Sequence, residues 1–117
     1  MKKYKSIPAA FSYSYEDAFV MEDMAVRHLF LNQEIDESVV NNVIYHIIRF
    51  NRLDKDVPAD ERTPIWLYIN SPGGALTDSF GLVDVIKTST TPVYTVNLAL
   101  AASGAFHVFI AGKKRYA

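Results

Sequence analysis

Three apolar segments of strand type alternate with three of helical type over residues 28–111, and this alternation constrains the fold more than any other feature. Such an order implies an α/β domain built on a parallel sheet with right-handed crossovers. Residues 28–32, His-Leu-Phe-Leu-Asn, form a short apolar run suited to a buried strand. Asp36 is placed to cap a helix. Val40, Val43, Ile44, Ile47 and Ile48 follow at helical spacing, with Asn41, Asn42 and Arg49 off that face, and the helix is expected to end near Asn51. Residues 54–64 carry charges and two prolines, so they are expected to form an exposed loop. Residues 65–69, Ile-Trp-Leu-Tyr-Ile, show no polar alternation and predict a strand covered on both faces. It stops at Asn70-Ser71-Pro72-Gly73-Gly74. Leu76, Phe80, Val83 and Ile86 predict a second helix with one apolar stripe, and residues 93–98 a third strand. Residues 99–105 are nearly all small. Residues 106–111 predict a third helix, closed by Gly112 as a C′ glycine.

Composition narrows the possibilities. The 117 residues suffice for one domain, or part of one. The net charge of −1 argues against a nucleic-acid footprint, and Lys113-Lys114-Arg115 is expected to be a solvated turn. The absence of cysteine removes disulfides, thiolate zinc sites and cysteine nucleophiles. No apolar run approaches the ~20 residues of a membrane helix. No apolar block of ~7–15 residues follows Lys2, Lys3 and Lys5, so no secretory signal is expected and the expectation is a soluble, cytoplasmic protein. Residues 1–22, with Phe11, Tyr13, Tyr15 and Phe19, are expected to be either a loosely ordered arm or a contact with a partner chain. Residues 23–117 are expected to hold the domain.

Ligands of parallel α/β sheets bind beyond the carboxyl ends of the strands. Two unusual segments fall at that edge. In the first, a strand runs into Ser-Pro-Gly-Gly and a helix starts at once. Pro72 fixes its own φ, and Gly73 and Gly74 allow positive φ and close backbone approach. The turn is either a plain tight turn or an anion-binding helix start. The lysine and hydroxyl of a Walker loop are absent, and so is a G-x-G-x-x-G pattern. In the second segment Ser103 stands between Ala101-Ala102 and Gly104-Ala105, at a strand-to-helix junction. It is either an N-cap serine or the serine of a nucleophile elbow, whose letters G-x-S-x-G are not met. Together the segments offer a hydroxyl facing two N–H donors, those of Gly74 and Gly104, as acyl transfer requires.

Residues 68–74 (Tyr-Ile-Asn-Ser-Pro-Gly-Gly), Thr95, Ala101-Ala102-Ser103, Ala111-Gly112 and Lys114-Arg115-Tyr116-Ala117 resemble the Clp protease proteolytic-subunit family. The likeness reaches back through Arg27-His28-Leu29-Phe30-Leu31. It implies a partial, truncated domain of the crotonase-like α/β fold and a serine endopeptidase without metal or cofactor. Ser103 matches the nucleophile, and Gly74 and Gly104 match the oxyanion-hole amides. The resemblance further implies homo-oligomeric heptameric rings, no nucleic-acid or membrane partner, and unfolded polypeptide delivered by an ATP-driven AAA+ unfoldase. Trp66 and Tyr68 either pack in the core or match aromatics at the pockets where unfoldase loops dock. The aromatic arm of residues 11–19 matches the family's pore-lining region.

The chain departs from the family at Ala99, where glycine is usual, and at Gly104, where methionine is usual. The loop at 54–64 looks longer than usual. The family's histidine base and orienting aspartate come after the segment matching residues 114–117 and are not among these 117 residues. Of the three histidines, His28 begins a strand, His46 lies in the first helix, and His107 is one turn past Ser103; none is expected to act as a substitute base. The 117-residue chain alone is therefore expected to be inactive or nearly so. Two further readings remain: a non-catalytic ring subunit, and a crotonase-type acyl-thioester enzyme that shares the two-donor hole without using Ser103.

Overall fold

The computed structural model describes residues 26–117. The expected arm at residues 1–22, with its pore-lining aromatics, and the domain boundary at residue 23 lie outside them. The described elements follow the expected alternation and add a strand. They are β1 His28–Leu31, a π-helical turn Val40–Ile44 running into α1 Tyr45–Leu53, β2 Ile65–Ser71, α2 Leu76–Thr88, β3 Val93–Ala101, α3 Gly104–Ala111 and β4 Lys114–Tyr116. The four strands are parallel and lie in the order β1-β2-β3-β4. The basic segment at 113–115 is thus not merely a solvated turn. Lys114 and Arg115 pair with Tyr94 and Thr95, and all three residues of β4 stay exposed on the edge of the sheet.

Sequential strand order has a geometric consequence. When every crossover between neighbouring parallel strands has the same hand, every helix falls on the same face. The single hydrophobic core accordingly joins Leu29 and Leu31, Ile65, Leu67 and Ile69, and Val93 to Val43, Ile47 and Phe50, Leu82 and Ile86, and Ala105 and Val108. The expectation that β2 is covered on both faces fails for this reason. Its odd-numbered residues are buried, whereas Trp66 and Tyr68 are half-buried and Asn70 is exposed. Their face carries a layer of rings instead. Phe30 stacks on Tyr68 with ring centroids 5.1 Å apart, and Trp66 meets Tyr94 and Tyr116 at 5.2 and 5.5 Å.

The helices are rotated relative to the expected stripes. The first buries Val39, Val43, Ile47 and Phe50, while Val40 and Ile48 are exposed. The wider π turn advances the buried face by about four residues per turn, which brings Val39 inward in place of Val40. Asp36 accepts the Ser38 N–H at 2.9 Å and so caps the turn that precedes this helix. In α2 the buried line is Ser79, Leu82 and Ile86, with Leu76 and Phe80 outward. Most of the loop at 54–64 is exposed, but Arg62 and Pro64 are half-buried and Asp54 is buried and accepts two 2.6 Å bonds from Arg27. Gly112 closes α3 without a left-handed turn, at φ −60°. Glycine is required there because a Cβ would overlap the Thr95 hydroxyl.

Candidate active site

The two segments singled out in the sequence come together at the carboxyl edge of β2 and β3. The first turn begins where β2 ends. Gly73 has φ +95° and Gly74 φ +155°, backbone that side-chain-bearing residues rarely adopt. Ile35 lies alongside as a short parallel bridge: its N–H donates to the Gly73 carbonyl at 2.8 Å, and its carbonyl accepts the Ala75 N–H at 2.8 Å. Any Cβ on Gly74 would overlap the Ile35 backbone, so the close approach itself excludes other residues. The Gly74 N–H donates no hydrogen bond among the described residues, and Gly74 is exposed.

The second turn is the junction of β3 with α3. Pairing with β2 runs in step as far as Ile69–Asn97 and resumes at Ser71–Ala101, so β3 carries extra residues in a bulge. Ala99, in that bulge, has φ +75°. Ser103 then turns the chain sharply at φ 54°, ψ −124°. A serine in that conformation is strained by roughly 1–3 kcal/mol. The N-cap alternative fails on geometry, since the Ser103 side chain makes no capping hydrogen bond and is exposed. Gly104 opens α3, so its N–H has no intrahelical acceptor. A Cβ there would overlap the Ser79 hydroxyl, which fixes α2 against the start of α3. The turns touch: a Cβ built on Gly73 would stand 2.9 Å from the Ser103 Cβ and 3.0 Å from the Gly104 nitrogen. Ser103 thus stands exposed at a helix start that meets the glycine turn, and neither the Gly74 nor the Gly104 N–H donates a hydrogen bond among the described residues, an arrangement that attracts negative charge.

The histidines are placed elsewhere. His28 meets Tyr68 edge-on at 5.5 Å on the aromatic face. His107 is exposed on α3 with its ring against Phe106. The Nδ1 of His46 on α1 is buried without a partner among the described residues, and burial, reinforced by Arg49, lowers its pKa. None is hydrogen-bonded to Ser103 among the described residues. No group of three or more histidines and carboxylates able to hold a metal occurs among the described residues. Trp66 and Tyr68 lie on the aromatic face, and Tyr68 lines a cleft of ≈ 260 Å³ with Phe30, Asn32, Asn70 and Leu98. Sequence reasoning missed Ile35 and Ser79, which fix the two turns from other elements. Nothing local in the sequence signals either contact.

The Clp protease family pattern matches residues 15–117. An ATP-dependent Clp protease proteolytic subunit 2 from Prochlorococcus marinus is 39% identical over 88 residues, covering 75% of this chain and 40% of that protein. Its namesake from Treponema pallidum is 30% identical over 105 residues, covering 90% of this chain and 50% of that protein. The chain thus spans about half, or less, of these curated relatives. Among solved structures, the ClpP protease catalytic domain from Plasmodium falciparum superposes with a TM-score of 0.74 at 21% identity, over 92% of this chain and 57% of that one. ClpP1 from Listeria monocytogenes gives 0.68 at 20% identity, over 80% and 51%.

Proposed function

The chain belongs to the Clp protease family, and from that membership we propose that it carries the nucleophile and the oxyanion-binding amides of a serine endopeptidase site. The observation that carries the reading is Ser103 itself: an exposed serine in a strained conformation, making no cap, at a helix start that touches a glycine turn. The Ser103 Oγ attacks the scissile carbonyl carbon while its proton passes to a base. The C=O bond becomes single, and its oxygen takes the negative charge between the Gly74 and Gly104 N–H groups. Collapse of that intermediate breaks the C–N bond, the amine leaves with a proton, and an acyl ester remains on Ser103. Water then repeats the sequence and frees the acid. No histidine of the described residues is in place as the base, so the base and its orienting carboxylate are to be supplied from outside these residues.

The reading extends to the setting in which such a site works. The substrate is unfolded polypeptide, fed by an ATP-driven unfoldase into a ring of copies in the cytoplasm. Trp66 and Tyr68, on the half-open aromatic face, are where apolar loops of the unfoldase would dock. No described helix is long and apolar enough to cross a membrane.

The test is covalent capture with an external base. A fluorophosphonate is incubated with the 117-residue chain, without and with imidazole, and the adduct is mapped by mass spectrometry. Slow labelling without imidazole, a rate that climbs with imidazole concentration, and loss of the adduct in Ser103→Ala are expected. No adduct at any imidazole concentration would leave the non-catalytic ring subunit as the better reading. Stabilisation of the fold by an acyl-coenzyme A, unaffected by Ser103→Ala, would favour the thioester reading.

A further inference from the structure

We infer that Ser71 is a positioning residue, one that sets the spacing between the two amides; the inference rests on the reading of Ser103 and its neighbours given above. Ser71 is fully buried at the end of β2. Its side-chain oxygen accepts the Gly73 N–H at 3.2 Å, and its carbonyl accepts the Ala102 N–H at 3.1 Å. One residue therefore grips both turns. Its hydroxyl holds the backbone immediately before Gly74, and its carbonyl holds the backbone immediately before Ser103. On the far side Ile35 grips the glycine turn through the Gly73 carbonyl and the Ala75 N–H, so the strip is fixed at both margins.

Among the described residues the arrangement leaves a particular N–H without an acceptor: Gly73 and Ala75 are both engaged as donors, and Gly74 between them is not. Without the Ser71 oxygen, the Gly73 amide would be a second donor seeking a partner in the same turn. An unsatisfied buried N–H is costly enough to rotate the peptide that bears it. Such a rotation turns the chain about the Gly73 φ, and the Gly74 amide, in the peptide whose carbonyl Ile35 holds, then shifts against that bond and loses its fixed direction. Ser71 is fully buried and pairs with Ala101 across the sheet just after the bulge.

The experiment uses Ser71→Ala, which removes the acceptor, and Ser71→Thr, which retains it on a β-branched side chain. Three quantities are measured on the full 117-residue chain: the amide resonances and exchange rates of the five glycines by NMR, the melting temperature, and the imidazole-dependent rate of fluorophosphonate capture. In Ser71→Ala the Gly73 amide is expected to lose exchange protection, and the Gly74 and Gly104 resonances are expected to move, with those of Gly81 and Gly112 in place. Capture of Ser103 should slow about ten- to a hundredfold, the order expected for a misplacement of an ångström or less. The imidazole concentration giving half the maximal rate should not change. Ser71→Thr should restore both resonances and rate. If Gly74 and Gly104 resonances are unmoved in Ser71→Ala, the inference is wrong, whether or not any capture is seen. Equal capture by wild type and Ser71→Ala also overturns it. Failure of wild type to be captured at all defeats the reading of Ser103 instead, and the resonances then decide the role of Ser71. If Ser71→Ala does not fold, the resonances and rate of Ser71→Cys, a near-isosteric but poor acceptor, decide in its place.

Discussion

Strain at single residues separates the demands of the site from those of the fold. Ser103 and Ala99 both hold positive φ, at 54° and 75°, and both bear a Cβ that this backbone disfavours. Ser103 is exposed and its side chain makes no capping bond, so replacing it loses little packing. Ser103→Gly is expected to raise stability by about 0.5–1 kcal/mol, the relief of strain exceeding the added flexibility of the unfolded chain. Ser103→Ala keeps the strain and should leave stability nearly unchanged. Urea unfolding of the pair measures the difference, and equal stability would show that Ser103 is not strained. Ala99→Gly should stabilise by a similar amount without touching the hydroxyl, because the bulge already takes a conformation natural to glycine. Gly74→Ala should do the reverse and cost several kcal/mol or prevent folding, as its Cβ would run into the Ile35 backbone.

At the scale of elements, the longest loop is held by one ion pair. Asp54 ends α1 and accepts two bonds from Arg27, which precedes β1, and a third at 2.8 Å from the Thr91 hydroxyl before β3. These bonds, the Arg27 pair foremost, hold the Asp54 pKa below the usual carboxylate value despite its burial. A carboxylate with a depressed folded pKa stabilises above its unfolded value of about 3.9, and that contribution is lost as pH falls through the folded value. Asp54→Asn should therefore cost about 3 kcal/mol at pH 7, and should flatten the loss of stability that wild type shows below about pH 4. An unchanged pH profile in the variant would place the acid sensitivity in another carboxylate. The sequence made this loop look merely exposed, because nothing local distinguishes Asp54 from Asp56 or Asp60. Its partner lies 27 residues away along the chain. The same limit explains the helices. Apolar spacing revealed that residues 40–51 are helical, but their rotation depends on a π turn that no residue pattern announces. The two turns of the candidate site were more legible. Ser-Pro-Gly-Gly and Ala-Ala-Ser-Gly are local patterns with local consequences, positive φ and a tight turn, and alternation alone put both at one edge. Their supports, Ile35 and Ser79, come from elsewhere and were not.

Strand order decides what the whole molecule exposes. Alternation of strands and helices determines that the sheet is parallel, but not which strand lies beside which. The run Ile-Trp-Leu-Tyr-Ile looks apolar throughout, yet its aliphatic residues and its aromatic residues belong to opposite faces. With the order β1-β2-β3-β4 and crossovers of one hand, the helices cover the aliphatic face alone. The rings on the other face shield one another, with Phe30 and Tyr116 still 49% and 43% exposed. Neighbours on one strand should then differ sharply in what their loss costs. Leu67 is fully buried beneath the helices, so Leu67→Ala should destabilise by about 2–5 kcal/mol. Tyr68 gives up one stacked and one edge-on ring contact, and Tyr68→Ala should cost about 1–2 kcal/mol. Denaturant unfolding of the two variants distinguishes a sheet covered on one face from one covered on both. In the second case the two costs would be alike. The single tryptophan offers a second reading of the same face, since Trp66 is half-buried among Tyr94 and Tyr116. Its emission should be quenched by acrylamide in the isolated chain, and protected when an apolar peptide occupies the ring layer. Protection that survives Tyr68→Ala and Phe30→Ala together would confine the proposed docking site to the rings around Trp66, and no protection at saturating peptide would move it off this face.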